Sequence, residues 1–415
     1  MKNTILAIAV SSLIAFSANA QKAVVDSPVR FDDTSPSLRW YERDRLLGPR
    51  DTLEAAGISP FLYFDSIAAA NVDGGLASAK NYTVQTYAGV DLDLEKILGW
   101  DETTVKISMV DREGLGIAND VGGIYDPMTI NGGSAGQVTW LYQAWIEKVV
   151  FNDWKIKLGR TSMDEDFADT GLNRYSLSTS INGPIRSLML DTPQIFSFPL
   201  ALWGGRIKYN PNDEHQFQLG AYQINSNPFG THLKGTDWSI NTGDGVTVMA
   251  QYDWTPEVFG RPARFYTGLA SSFYEFDTFD GGRSSSMLSF YGRAEVEVID
   301  DLKLFAFASY NAEDEKAKIP LQISAGANWK GLIPGREDDH TVAFATYGQI
   351  SDTYGQFVTM GPVSSEVVLE LGHRIQLTPA SYIQPAIQYI INPGGGTNGD
   401  IDNATVIGAW FGASF

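Results

Sequence analysis

The 415-residue chain is acidic, with 30 Lys and Arg against 49 Asp and Glu, a formal charge of −19, and no cysteine. That balance offers no basic patch for a phosphate backbone, so nucleic acid is excluded as a partner; disulfides and thiolate metal sites are excluded with the cysteine. Beyond residue 20 no run of 18 or more apolar residues occurs, which rules out transmembrane helices and leaves a soluble exported protein or a closed β-barrel.

In chain order, MKNTILAIAVSSLIAFSANA places Lys2 ahead of an apolar run, Ile5 to Phe16, and ends in Ala18-Asn19-Ala20. Residues 1–20 are therefore expected to be a secretory signal peptide, with the mature chain starting near Gln21. Residues 21–58 form an N-terminal periplasmic segment in this reading. Within it the stretch 37–59 predicts a short helix that starts near Pro49 and stops at Gly57, with proline just inside its start and glycine just past its end.

Period-two alternation takes over after residue 58. In EVVLELGHRIQL (366–377), Val367, Leu369, Leu371, Ile375 and Leu377 oppose Glu366, Glu370, Arg374 and Gln376. In LSFYGRAEVEV (288–298), the apolar face opposes Ser289, Tyr291, Arg293, Glu295 and Glu297. The pattern predicts strands at 59–71, 80–94, 103–113, 137–150, 153–160, 200–210, 214–225, 245–254, 262–275, 284–299, 301–310, 318–330, 341–351, 366–377, 380–392 and 404–415. Alternation alone also fits a soluble sandwich. Connection lengths separate the two readings, because short turns alternate with longer loops, and the loops 114–136 and 161–199 are much the longest. An even strand number with short turns on one rim and long loops on the other predicts an all-β, transmembrane antiparallel barrel of about 16 strands over 59–415.

Trp140, Trp154, Trp203, Trp254, Trp329, Trp410 and Phe415 are expected in interfacial girdles, and Pro385 is expected to mark a bulge. The last strand, ATVIGAWFGASF (404–415), would turn Ile407, Phe411 and Phe415 to lipid and Gly408, Gly412 and Ser414 to the lumen.

The lumen face so defined includes Gln85, Tyr87, Asp91, Lys106, Arg112, Gln384 and Gln388, which can exchange hydrogen bonds with a hydroxylated solute. Lys155, Lys157, Arg206 and Lys208 form a basic strip, with Arg293, Glu295 and Arg374 on other strands. The loop 161–199 is expected to fold inward as a constriction that carries Asp164, Glu165 and Asp166, with Arg160, Arg174 and Arg186 as their partners across the pore. The expected pore-lining set is thus Arg160, Asp164, Asp166, Arg206, Lys208, Lys155, Lys157, Arg293, Glu295 and Arg374. Mixed signs in the lumen suit neutral solutes better than phosphate.

The chain resembles the carbohydrate-selective outer-membrane porins of the OprB type. The residues that carry the resemblance are GPRDTLEAAGI (48–58), WLYQAWIEKVVFNDWKIKLGRTSMDEDFADT (140–170), WGGRIKYNPNDEHQFQLGAYQIN (203–225) and SYIQPAIQYIINPGGGTNGDIDNATVIGAWFGASF (381–415), in the family's order. Pro385 stands where that family tends to carry a proline. The stretch RDRLLGPR departs from the glycine-rich, tryptophan-containing segment of many members, and Asn173 to Pro199 has no clear match. The resemblance implies a sixteen-stranded barrel in the bacterial outer membrane through which sugars such as glucose diffuse, with no cofactor. The partners expected are small carbohydrates, outer-membrane lipid and lipopolysaccharide, and the barrel-assembly machinery through the C-terminal strand. A homo-oligomer is left open, since no patch marks its contact. Two other functions share parts of the pattern: a general or ion-biased porin, and an outer-membrane hydrolase built around His373 and a rim serine.

Overall fold

A computed structural model describes residues 50–132, 136–169, 171–183, 185–190, 192, 197–225 and 234–414. The expected signal peptide, most of the segment 21–58 and Phe415 lie outside the described residues.

Alternating, β-branched and aromatic segments form sixteen long strands where expected, with ends shifted by three residues at most. They are β1 (Ile58–Asp73), β2 (Ala79–Asp93), β3 (Thr103–Glu113), β4 (Gln137–Val150), β5 (Trp154–Thr161), β6 (Leu202–Tyr209), β7 (His215–Ile224) and β8 (Gly245–Trp254). The second half comprises β9 (Arg261–Asp277), β10 (Arg283–Ile299), β11 (Leu302–Asn311), β12 (Leu321–Lys330), β13 (His340–Gln349), β14 (Ser365–Thr378), β15 (Ser381–Ile391) and β16 (Ala404–Ser414). Each pairs antiparallel with its neighbour in sequence. β16 returns to β1, with Tyr63 opposite Ser414 and Ala70 opposite Ile407, so the sheet closes and leaves no edge.

Closure turns the alternation into an inside and an outside. On β14, Glu366, Val368, Glu370 and Arg374 are buried while Leu369 and Leu371 are exposed. Ile107, Leu158, Ile207, Leu219 and Ile323 continue that outer apolar band. Each such side chain gains roughly 1.5–3 kcal/mol when an apolar medium covers it. No helix among the described residues is long and apolar enough to cross a membrane.

The short-turn rim is built locally. α1 (Arg50–Ala55) matches the expected helix and ends before Gly57, whose φ of 86° favours glycine. α2 (Leu94–Leu98) joins β2 to β3, with the Asp93 side chain accepting from the Glu95 and Lys96 amides and Gly99 closing its end.

Three sequence expectations change here. Trp140 and Trp410 point inward and are buried, whereas Trp154, Trp254 and Trp329 lie on the outer face near the short-turn rim. Pro385 makes no bulge: the β14–β15 register is the same on both sides of it, Gly372 opposite Ala386 and Ile375 opposite Ile383, and it pairs regularly with Ala409. Its outward position leaves only a gap in one ladder, the cost of its missing N–H. A bulge lies in β4, where Ser108 opposes Gln143 and Met109 opposes Leu141, so that Tyr142 and Gln143 are both buried.

The two longest loops, 114–136 and 162–201, pack within the wall rather than over it. Ile117, Val121, Met128 and Ile130 from the first and Leu177 from the second share a cluster with Ile67, Val368 and Trp410 of the strands.

Candidate functional site: a loop-narrowed opening

The loop 162–201 leaves β5 and is fastened to the inner wall at successive points. Asp166 comes first: its carboxylate lies 2.5 Å from Lys157 Nζ and 2.9 Å from Arg206 Nε, and it accepts from the Tyr222 hydroxyl at 3.0 Å. Burial alone would push this carboxyl up, but the Lys157 and Arg206 charges outweigh it and hold it well below the usual carboxylate range. Arg206 also pairs with Glu147. Next, Asp169 pairs with Arg264 at 2.6 Å, and Asn173 Oδ1 accepts from Arg293 at 2.8 Å. Glu370 then accepts from the Ser176 hydroxyl at 2.8 Å and from the amides of Leu177 and Ser178 at 2.8 and 3.3 Å. Gln322 donates to the Ser180 carbonyl, Gln384 to that of Tyr175 and Arg374 to that of Arg174. These buried carboxylates, amides and guanidiniums replace water for a loop backbone that the strands cannot pair.

One cavity between the loops and the wall lies against β1–β3 and β14–β16. It is about 60 Å³ in volume and is lined by Asp65, Gln85, Tyr87, Arg112, Arg374, Tyr382 and Trp410 of the wall and by Thr129, Arg174, Asn182 and Phe198 of the loops. Arg374 is its most constrained group. The guanidinium carbon sits 3.8 Å from the Tyr382 ring centre, 4.3 Å from Tyr175 and 5.6 Å from Trp410, while Nε donates to Gln384 at 2.8 Å. Asp65 Oδ1 accepts from Trp410 Nε1 at 2.9 Å and from the Tyr382 hydroxyl at 3.2 Å; its Oδ2 is sealed from solvent. Arg112 Nε donates to Gln85 at 2.7 Å and the guanidinium lies 4.5 Å from the Phe198 ring. The wall around the cavity therefore gathers rigid donors, a buried carboxylate and aromatic rings together. Those groups match a solute with hydroxyls on its edges and C–H groups on its faces.

Of the residues expected to line the pore, Lys155, Lys157, Arg206, Lys208, Arg293, Glu295 and Arg374 lie on inward positions. Lys155 stands opposite Lys208, and Lys157 opposite Arg206. Arg160 does not join them. By strand alternation it shares the outer face with Leu158 and Trp203, where it donates to the carbonyls of Leu141 and Asp237 beneath Trp238. Trp203 Nε1 donates to the Trp238 carbonyl and Gln223 to that of Ser239, so part of the loop between β7 and β8 lies over this outer surface. The loop acids also act differently from a single cluster facing arginines. Asp164 accepts from Ser162 at 2.5 Å and from the Phe198 amide at 3.0 Å, tying the loop's two ends together; Glu165 accepts from Tyr142.

Asp65, Tyr382 and Trp410 were absent from the expected set. A signal for Asp65 exists, since it is the one acid in FLYFDSIAAA (61–70), in phase with Phe61, Tyr63 and Ile67. His373 lies on the outer face, 2.9 Å from Thr341 Oγ1 and 3.3 Å from Asp339.

The comparisons with known proteins agree with the barrel fold. A family model described as "Carbohydrate-selective porin, OprB family" matches residues 78–415. Porin B of Pseudomonas aeruginosa is 26% identical over 424 residues, covering 90% of this chain and 91% of that one. A chain named as a porin, QuiX, of Acinetobacter baylyi is 27% identical over 411 residues, covering 87% and 90%. The high-pH structure of Pseudomonas putida OprB superposes with a TM-score of 0.81 at 22% identity, covering 89% of this chain and 96% of that one.

Proposed function

The chain belongs to the carbohydrate-selective porin family of the OprB type, and on that premise we propose that it passes small carbohydrates through the opening beside Arg374 by passive diffusion. It is a channel protein of the bacterial outer membrane rather than an enzyme. The observation that carries the reading is the fastening of loop 162–201 inside the barrel, beside a cavity walled by arginine, carboxylate, amide and aromatic groups. A sugar can exchange its water for such groups hydroxyl by hydroxyl, which keeps the desolvation cost low. The solute gradient supplies the driving force. Export by residues 1–20 and recognition of the last strand by the assembly machinery are parts of the same proposal, supported by the sequence of the two ends.

The test is conductance of the purified protein in planar bilayers while glucose is titrated, then an uncharged amino acid of similar size. Concentration-dependent block by glucose alone is expected. Open channels indifferent to both would leave a general porin, the reading favoured by the mixed lumen charges at Lys155, Lys208 and Glu295.

A further inference from the structure

Resting on the porin reading, we propose that the lumen near the short-turn rim holds a ring-stacking subsite for pyranoses, formed by Phe61 and Tyr63 of β1 and flanked by the ion pair of Asp91 on β2 with Lys106 on β3. Strand alternation turns Phe61 and Tyr63 inward, in phase with Asp65 and Ile67. Depth separates the four. Asp65 and Ile67 are 1% and 0% exposed, and the inner loops pack on Ile67, whereas Phe61 and Tyr63, nearer the start of β1, stay half-buried. The charged pair beside them also reaches solvent, with Lys106 20% and Asp91 36% exposed.

The wall is shaped to carry these rings. Phe61 stands opposite Gly89, and a Cβ built on that glycine would lie 2.6 Å from Phe61 Cζ, so the ring rests over a position that only glycine leaves empty. Tyr63 is stacked on Tyr87 at 6.1 Å and 19°, and Phe61 lies 5.7 Å from the one and 5.2 Å from the other. Lys106 Nζ sits 5.0 Å from the Phe61 ring centre and 3.3 Å from Asp91, which fixes a donor and an acceptor at the edge of the aromatic surface. Across the lumen the half-buried inward residues are charged, Glu295, Glu297 and Lys303 among them. The aromatic side leads to Tyr87, which lines the cavity beside Arg374. A pyranose has a rigid face of C–H groups and a rim of hydroxyls. The face gains by covering apolar ring surface, while the rim can accept from Lys106 and donate to Asp91 in charge-assisted bonds. An open-chain polyol offers the same hydroxyls without the face, and it must also be ordered to bind.

The experiment compares block of single channels by glucose and by sorbitol, the open-chain six-carbon polyol. Half-block by glucose is expected at a concentration about fivefold below that of sorbitol, a factor equivalent to roughly 1 kcal/mol. Phe61→Ala should shrink that ratio to about twofold or less. Phe61→Leu, which keeps apolar bulk without a flat ring, gives a second reading of the same ratio if the alanine variant fails to insert. Phe64→Ala, on the outer face of the same strand against Phe411, should leave the ratio at its wild-type value. Sorbitol blocking at an equal or lower concentration than glucose, a ratio that survives loss of the Phe61 ring, or an equal fall in Phe64→Ala would overturn the proposal while leaving the carbohydrate channel intact. Failure of both solutes to block or permeate the wild-type channel would instead remove the porin reading, and the subsite with it.

Discussion

Asp166 Oδ2 lies 2.5 Å from Lys157 Nζ, with the two side chains 1% and 4% exposed, and this contact joins the start of the narrowing loop to β5. Arg206 shares the same carboxylate. Replacing Asp166 by Asn leaves two buried cations short of their counter-charge, a change that costs about 3–5 kcal/mol when a buried pair is broken. Asp166→Asn should lower the unfolding midpoint of the purified barrel, raise single-channel conductance and weaken sugar block. Because the carboxyl is held below its ordinary range, its contribution is present above that range and is lost only as pH falls through the depressed value. Mild acid should therefore leave this anchor in place. An unchanged midpoint with unchanged conductance would show that the loop does not depend on it.

Glu370 supports the middle of the same loop with three accepted hydrogen bonds, from Ser176, Leu177 and Ser178. Glu370→Ala strands these buried donors, at about 1–3 kcal/mol for each left unsatisfied. Glu370→Gln keeps one carbonyl oxygen and should fall between wild type and alanine. Unfolding midpoints of the three proteins give the order; alanine and glutamine variants of equal stability would contradict it.

The strands were legible because a closed sheet imposes one simple rule, side chains alternating between lipid and lumen, and residues such as Leu369, Glu370 and Leu371 obey it. The rule fails where backbone geometry intervenes. The extra residue in β4 sends Tyr142 and Gln143 to the same side. Arg160 reads as a lumen cation because its neighbours Lys155 and Lys157 are lumen cations, yet it stands one position out of phase with them, and its cover is Trp238, 78 residues on. No local pattern encodes that contact. Trp140 and Trp410 sit near strand ends, as girdle aromatics do, and only their phase relative to Tyr142 and Val406 distinguishes inside from outside. The opening was least visible, because Asp65, Arg374 and Trp410 come from both ends of the chain and meet only when β16 closes on β1.

Gly412 offers a way to disturb the bed of Arg374 without touching a charge. A Cβ built there would lie 2.3 Å from the Tyr382 ring, whose other neighbour is the Arg374 guanidinium at 3.8 Å. Gly412→Ala must displace Tyr382, and with it the hydrogen bond to Asp65. The expected result is a folded channel in which glucose blocks less effectively. Gly243→Ala, where the added Cβ meets nothing within 4 Å, is the matched control. Block in Gly412→Ala equal to that of the control would mean that Tyr382 does not position the opening.

Asp126 should make the packing of the two inner loops sensitive to pH. Its backbone exchanges hydrogen bonds with Thr179, its amide donating to Oγ1 at 2.7 Å and its carbonyl accepting from the Thr179 amide at 2.8 Å. Burial pushes its carboxyl up to about 6, against the opposing pull of the Met128 amide and the Arg186 charge. The folded protein then holds a proton that the unfolded chain releases between the ordinary value of 3.8 and about 6. Stability therefore falls as pH rises through that window and is level above it, by about 3 kcal/mol at most. Other carboxyls titrate in the same range, so the informative quantity is the difference between wild type and Asp126→Asn. The asparagine variant keeps an oxygen for the Met128 amide and carries no proton to lose. Unfolding midpoints measured from pH 4 to 7 should show the wild-type protein losing stability relative to the variant as pH rises. Parallel curves would mean that Asp126 ionises in the fold as readily as it does in the unfolded chain.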